Sequence, residues 1–188
     1  DLGNGYMGGI ADGPLYSLTL GTFQTSYGGG DWDIAISKFS PDGSSLLFST
    51  FLGGGRNETV HSMVVDNNQN LFIFGATGSS NFPTTTNTYD STLSVSTQIS
   101  TDIGVDFDFG VDIIVSKFNP SGTQLLSSTY FGGSGIDGIN LNPGGGTQYD
   151  GLNFNYGDSH RGEIVIDSSG NCYIGTTTTT SNLPNTNG

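Results

Sequence analysis

Positive charge is almost missing from this sequence. Lys38, Arg56, Lys117 and Arg161 carry all of it, against 17 Asp and Glu, for a formal net charge of −13. A nucleic-acid partner is therefore not expected, because phosphate backbones are held by basic faces. Contact with anionic lipid is disfavoured on the same ground. Cysteine is nearly missing too. Cys172 stands alone, so no internal disulfide can form, and its setting, CYI, reads as a small buried hydrophobe. No apolar run is long enough to cross a membrane, so membrane insertion is not expected. Neither an initiator Met nor a signal peptide is present, and the abrupt ends suggest a fragment or a processed piece. Helix formers are scarce, with two Glu and two Lys, and no stretch of twelve or more residues holds a 3.6-residue apolar period. Almost no helix is expected.

What is present points to short strands. Gly numbers 31, beside many Thr, Ser and Asn, which suits strands joined by tight turns. Hydrophobic residues make up 33%, with 12 Phe and 8 Tyr as bulky anchors, enough to bury a core. Asp outnumbers Glu fifteen to two and clusters in loops. That acidity reads either as solubility or as divalent-cation binding.

The sequence repeats itself. DIAISKFSPDGSSLLFSTFLGG, from Asp33, matches DIIVSKFNPSGTQLLSSTYFGG, from Asp112, at an offset of 79. VVDNNQNLFIFGATGSSNFP, from Val64, matches VIDSSGNCYIGTTTTTSNLP, from Val165, at an offset of 101. GTFQTSYGGGDWD, from Gly21, aligns with NTYDSTL, from Asn87, at an offset of 66. The changing offsets place a 13-residue insertion at about 94–109 and a 22-residue insertion at about 135–160. The chain divides into a connecting segment, 1–22, a first repeat, 23–88, and a second repeat with both insertions, 89–188. Each unit reads as four strands. DIAISKF alternates, SPDG is a turn, LLFSTFLGG and HSMVVD follow, and NNQN makes a tight hairpin into NLFIFGAT. Four strands per unit is the pattern of a propeller blade. The fold class is all-β: a β-propeller fragment of two four-stranded antiparallel blades with loop insertions, expected to be part of a larger, seven-bladed-like propeller. Two blades cannot close a ring, so the rest comes from other blades of the same protein or from further copies.

KFSPDG, FSTFLGG, VVDNNQN and SNFP, with KFNPSG, SSTYFGG, VIDSSGN and SNLP in the second copy, closely resemble the SBBP-type bacterial β-propeller repeat. The resemblance covers roughly residues 21–188 and lapses at the insertions. NFNYGDSHRGEIVID looks like variants in cell-surface proteins of Bacteroidota exported by type 9 secretion. The resemblance thus implies an extracellular or cell-surface location and export machinery as a transient partner. It implies no catalytic motif.

Two loops offer chemistry. TDIGVDFDFGVD places Asp102, Asp106, Asp108 and Asp112 close together, the hard oxygen ligands Ca²⁺ prefers. Asp112 is assigned to structure, because Asp33 occupies the same strand start. The metal candidates are therefore Asp102, Asp106 and Asp108 with Ca²⁺ as the candidate cofactor, set against a solvated acidic loop. The second insertion carries Asp137, Asn140, Asn142, Asp150, Asn153, Asn155 and Asp158, which suit Asx turns or cation ligation. It also carries Tyr149, Phe154 and Tyr156, which would stack on a glycan or anchor the loop. His61 and His160 differ by 99 rather than 101 and are read as turn or surface residues. No nucleophile elbow, metal-binding His pair or phosphate loop is present. The expected function is non-catalytic: a scaffold or adhesion and interaction surface. The alternatives are a Ca²⁺-dependent carbohydrate-binding propeller and a glycan-cleaving enzyme.

Overall fold

The computed structural model describes residues 2–101, 104–140, 160 and 162–185. Among them the chain is all-β, without a helix. The strands are β1 (Gly5–Ala11), β2 (Asp33–Phe39), β3 (Leu46–Leu52), β4 (Glu58–Val65), β5 (Leu71–Thr77), β6 (Ile99–Ser100), β7 (Asp106–Phe107), β8 (Asp112–Phe118), β9 (Leu125–Phe131), β10 (Glu163–Ile166) and β11 (Cys172–Gly175). They pair antiparallel into three main sheets, β1-β2-β3, β4-β5-β8-β9 and β10-β11, with a small β6-β7 hairpin beside them.

Local chemistry explains the strands and their ends. DIAISKF and DIIVSKF are β-branched and alternate across the pleat. Both lead into Pro-x-Gly or Pro-Ser-Gly turns, where Gly43 and Gly122 take φ of +71° and +68°. A bulge recurs at the same place in both copies, after Lys38 and after Lys117. It leaves Leu47 and Leu126 outside the pairing, and both are exposed. The Asn-rich hairpin forms around Asp66, whose N–H donates to Asn70 O at 3.0 Å and whose carboxylate takes the N–H groups of Asn68 and Asn70. Gln69 sits there at φ +64°, where the second copy has Gly170 at +84°.

The sheets do not coincide with the sequence units. The four strands of one unit were expected to form one blade; instead β4 and β5 of the first unit pair with β8 and β9 of the second. The join is β5 to β8, with Leu71 opposite Phe118 and Thr77 opposite Asp112. β1 pairs with β2 in the same register, Gly5 opposite Phe39 and Ala11 opposite Asp33. Segment 1–22, expected as a connector, therefore supplies the strand equivalent to β5 at the offset of 66. β10 and β11 are equivalent to β4 and β5 at the offset of 101.

The three sheets stack face to face. Ile34, Ile36 and Leu52 of the first sheet meet Ile73, Ile114 and Phe118 of the second in one core. The opposite face of the second sheet, with Phe74 and Ile113, meets Ile164, Ile166 and Ile174 of the third. Tyr130 pins the first junction. Its hydroxyl donates to Ser79 O at 2.6 Å and accepts the Phe82 N–H at 2.9 Å. Phe39 and Phe118 are equivalent in sequence but not in packing. Phe118 is 0% exposed, while Phe39 is half-buried, because its face carries the loop residues Tyr16 and Tyr27 rather than a second sheet.

The first insertion is anchored rather than loose. Ile99, Val105 and Phe107 of the β6-β7 hairpin pack on Ala76, Val111 and Ile139. Cys172, expected inside, is exposed. Its strand has only β10 beside it, whereas the equivalent Leu71 lies mid-sheet at 1% exposure.

Two substitutions test this packing in denaturant unfolding. Phe118→Ala should cost about 3–5 kcal/mol, and Phe39→Ala clearly less. Gln69→Gly should stabilise by about 1 kcal/mol, because it relieves a side chain held at positive φ.

Candidate functional site: paired carboxylates at the sheet junctions

The same four-part arrangement is built twice. In the first, Asp33 heads β2 in the first sheet and Glu58 heads β4 in the second. Asp33 Oδ2 accepts the Gly28 N–H at 2.5 Å. Glu58 Oε2 accepts the Gly54 N–H at 3.0 Å, and Oε1 accepts the Thr77 hydroxyl at 2.6 Å. Asp112 and Asp137 repeat this. Asp112 Oδ2 accepts the Ser94 N–H at 2.7 Å, Asp137 Oδ2 accepts the Gly133 N–H at 2.7 Å, and Asp137 Oδ1 accepts the Thr178 hydroxyl. Gly28 and Ser94 correspond at 66, Gly54 and Gly133 at 79, Thr77 and Thr178 at 101. Three separate stretches of the repeat thus converge on each pair.

All four acids are 0% exposed. Glycine makes the burial possible. A Cβ on Gly53 would collide with Asp33 Oδ1 and stand 2.7 Å from Glu58 Oε2; one on Gly132 would collide with Asp112 Oδ1 and stand 2.9 Å from Asp137 Oδ2. Both acids of a pair therefore press on the same bare Cα.

Burial raises three of the four, Asp33, Glu58 and Asp112. Loss of solvent, with the Asp33 charge adding to it, pushes Glu58 up to about 8, against the opposing hydrogen bonds from Ser79, Thr77 and Gly54. Burial also raises Asp33, which hydrogen bonds with Glu58. Asp112 is pushed up to about 6 by burial and then by the Asp137 charge, against the Ser94 N–H. At the first pair Glu58 therefore keeps its proton through neutral pH beside Asp33. That pair holds a proton and fastens one sheet to the next. Its burial closes it to a substrate.

The residues singled out from the sequence fall elsewhere. Asp102 lies outside the described residues, as do Tyr149, Phe154 and Tyr156. Asp106 lies on β7 with its side chain exposed, and its backbone carbonyl accepts the Asn57 amide at 2.8 Å. Asp108 pairs with Arg56 at 3.1 Å and takes Gln98 Nε2 at 3.3 Å. The Arg56 guanidinium also lies 4.0 Å from the Phe109 ring centroid, so this acidic loop is tied to the first repeat's cation. Among the described residues no three His, Cys, Asp or Glu side chains gather as metal ligands. The structure does bring His61 and His160 together, ring centroids 5.8 Å apart. His61 lies at a bulge in β4, between Val60 and Ser62.

Glu58 and its glycine partner were missed in the sequence. The signal is the spacing of four from Gly54 to Glu58 and from Gly133 to Asp137. It was hidden because Glu and Asp differ in length and Asp137 falls within the stretch assigned to the insertion. Comparison of the chain with protein-family models finds no match, and comparison with curated proteins finds none either.

The raised acids fix the sign of the pH dependence. Glu58 goes from 4.5 to about 8 and Asp112 from 3.8 to about 6 on folding. The folded chain keeps protons that the unfolded chain releases, so this stability is present below about pH 4 and lost as pH rises towards 8. Thermal unfolding should show a decline on the order of a few kcal/mol across that window. Glu58→Gln should flatten the part between about pH 6 and 8, because the amide can donate to Asp33 permanently. An unchanged slope in the variant would show that Glu58 holds no such proton. Gly132→Ala should destabilise by several kcal/mol or prevent folding, since the clash is with a buried carboxylate.

Proposed function

We propose that this chain is a section of an SBBP-type β-propeller that acts without catalysis, as an extracellular or cell-surface scaffold and interaction module. One observation carries the reading. The junction between the first and second sheets recurs between the second and third, with Asp137 in place of Glu58 and Ser94 in place of Gly28. A junction repeated with the same faces and the same fastening rotates each sheet by a constant step, and a constant step generates a ring of blades. The equivalent edge strands β4 and β10 lie against each other, as innermost strands around an axis would, and Ser62 Oγ donates to Glu163 Oε2 across them at 3.1 Å.

The non-catalytic part of the reading is supported by the acids themselves. The two carboxylate pairs at the junctions are sealed from solvent. Export by type 9 secretion and a Bacteroidota source follow from the resemblance of the repeat and stand with it. Glycan or another cell-surface component is the proposed partner class, met through the insertions, with blades of the same protein or further copies as the other.

A glycan array read beside a bead-adhesion assay, with and without chelator, tests this. Binding or adhesion with no sugar released supports the scaffold reading. Release of reducing ends from a polysaccharide panel overturns it in favour of an enzyme, and loss of binding in chelator replaces it with the Ca²⁺-dependent alternative.

A further inference from the structure

One cavity is lined by residues that the repeated junction does not call for. It measures about 340 Å³, within the range of small-ligand sites. Three stretches meet around it: the turn before β2 with Asp31, the turn before β4 with Arg56 and Asn57, and β7 and its end with Asp106 and Asp108. At the offset of 79 the next junction has Gly135 and Ile136 where this one has Arg56 and Asn57. There the Gly135 N–H donates to the Thr180 hydroxyl, and Ile136 packs on apolar neighbours. Fastening two sheets therefore needs neither the charge nor the amide.

Asn57 builds the cavity. Its Oδ1 accepts the N–H groups of Asp31 and Trp32 at 2.7 and 3.0 Å, and its Nδ2 donates to the Asp106 carbonyl at 2.8 Å. One buried amide thus positions the backbone of both acids. Asp31 and Asp106 are exposed, and neither carboxylate makes a hydrogen bond or an ion pair among the described residues. Arg56 completes the wall. Its Nη1 pairs with Asp108 at 3.1 Å, which engages one of the five N–H donors of a guanidinium. The same guanidinium lies over the Phe109 ring, which is 52% exposed. An open aromatic ring therefore stands beside free acceptors and free donors.

The lining sorts ligands by charge. Three carboxylates in a chain of net charge −13 repel an acidic sugar or a phosphate. Arg56 already supplies the positive charge that Asp108 would offer a small cation. An apolar ligand would strip water from Asp31 and Asp106 and return no hydrogen bond. A neutral polyol donates to the carboxylates and accepts from the guanidinium, so it replaces the water it removes. The other polar cavity, about 380 Å³ between the Asp66 and Asp167 hairpins, has no such free acceptors. Both of its carboxylates are engaged by their own turns.

We propose that the cavity binds a neutral sugar unit of a glycan directly, without a bridging cation. Sugar hydroxyls donate to Asp31 and Asp106 and accept from Arg56, and the neighbouring unit lies against Phe109. The site rests on the reading of glycan as the partner class, and it fixes that contact at the first insertion.

Isothermal titration of the full chain in chelator, with hexasaccharides of glucose, mannose, galactose and N-acetylglucosamine, should find at least one binder. A uronic acid hexasaccharide should bind more weakly. Asp31→Ala and Asp106→Ala should each lower the affinity about tenfold without moving the thermal unfolding midpoint. Asp167→Ala, in the other cavity, should leave the affinity as it was. Absence of any neutral binder overturns the site, and so does tighter binding of the acidic sugar. Binding that both alanine variants retain also overturns it, while the adhesion reading stands with its contact elsewhere. Binding that appears only when Ca²⁺ is added overturns direct contact. Release of sugar that both variants lose keeps the site and overturns the non-catalytic reading.

Discussion

A carboxylic acid deprived of water is costly unless its lone pairs are met, and this protein places two such acids at each sheet junction. The cost decides the local design. Gly53 and Gly132 must be bare so that the acids can enter. Gly54 and Gly133 must point their N–H groups inward, and Thr77 and Thr178 must bring hydroxyls from the end of another strand. The Gly-Gly dipeptide at the end of β3 and β9 is thus a requirement of the acids rather than a loose turn. The acids in turn need the two sheets together, because no single sheet supplies every donor.

That dependence explains why the sheets straddle the sequence units. A unit read from Asp33 starts at an acid and runs into its own partner, Glu58, which already belongs to the next sheet. The fastening is within a unit and the sheet is between units. Each unit is therefore shared by two sheets, and neighbouring sheets are stitched by chain as well as by side chains. The insertions respect this. The β6-β7 hairpin grows between the strands that join two units, packs on the outside of the junction through Phe107, and leaves the β5-β8 pairing whole.

Strands were legible because their residues alternate and their turns carry Pro, Gly and Asn in the right places. DIAISKF and DIIVSKF give β2 and β8 to the residue. The partner of each strand was less legible. Periodicity says which face of a strand is apolar and is silent on which unit lies beside it, so one blade per unit was the natural but incorrect reading. β1 was hidden for a different reason: GYMGGIA has three glycines in seven residues, and only its pairing with β2 reveals it. The site was the least legible part. An acid at a strand start looks the same whether it faces water or another acid, and Asp106 and Asp108, crowded in sequence, turn out to face solvent and Arg56.

The choice of a polar fastening over an apolar one also governs register. An apolar junction between stacked sheets tolerates a slip, because one methyl group replaces another at little cost. A buried acid pair does not. Shifting β4 by one residue along β5 would turn its side chains to the opposite face, and Glu58 would leave Thr77 and Gly54 for apolar surroundings with its lone pairs unmet. The penalty rises with every donor lost, so the pair discriminates between neighbouring registers more sharply than it adds to stability. In a fold assembled from near-identical units, where DIAISKF and DIIVSKF would each fit the other's place, such discrimination is what lets a repetitive sequence reach one arrangement of its sheets.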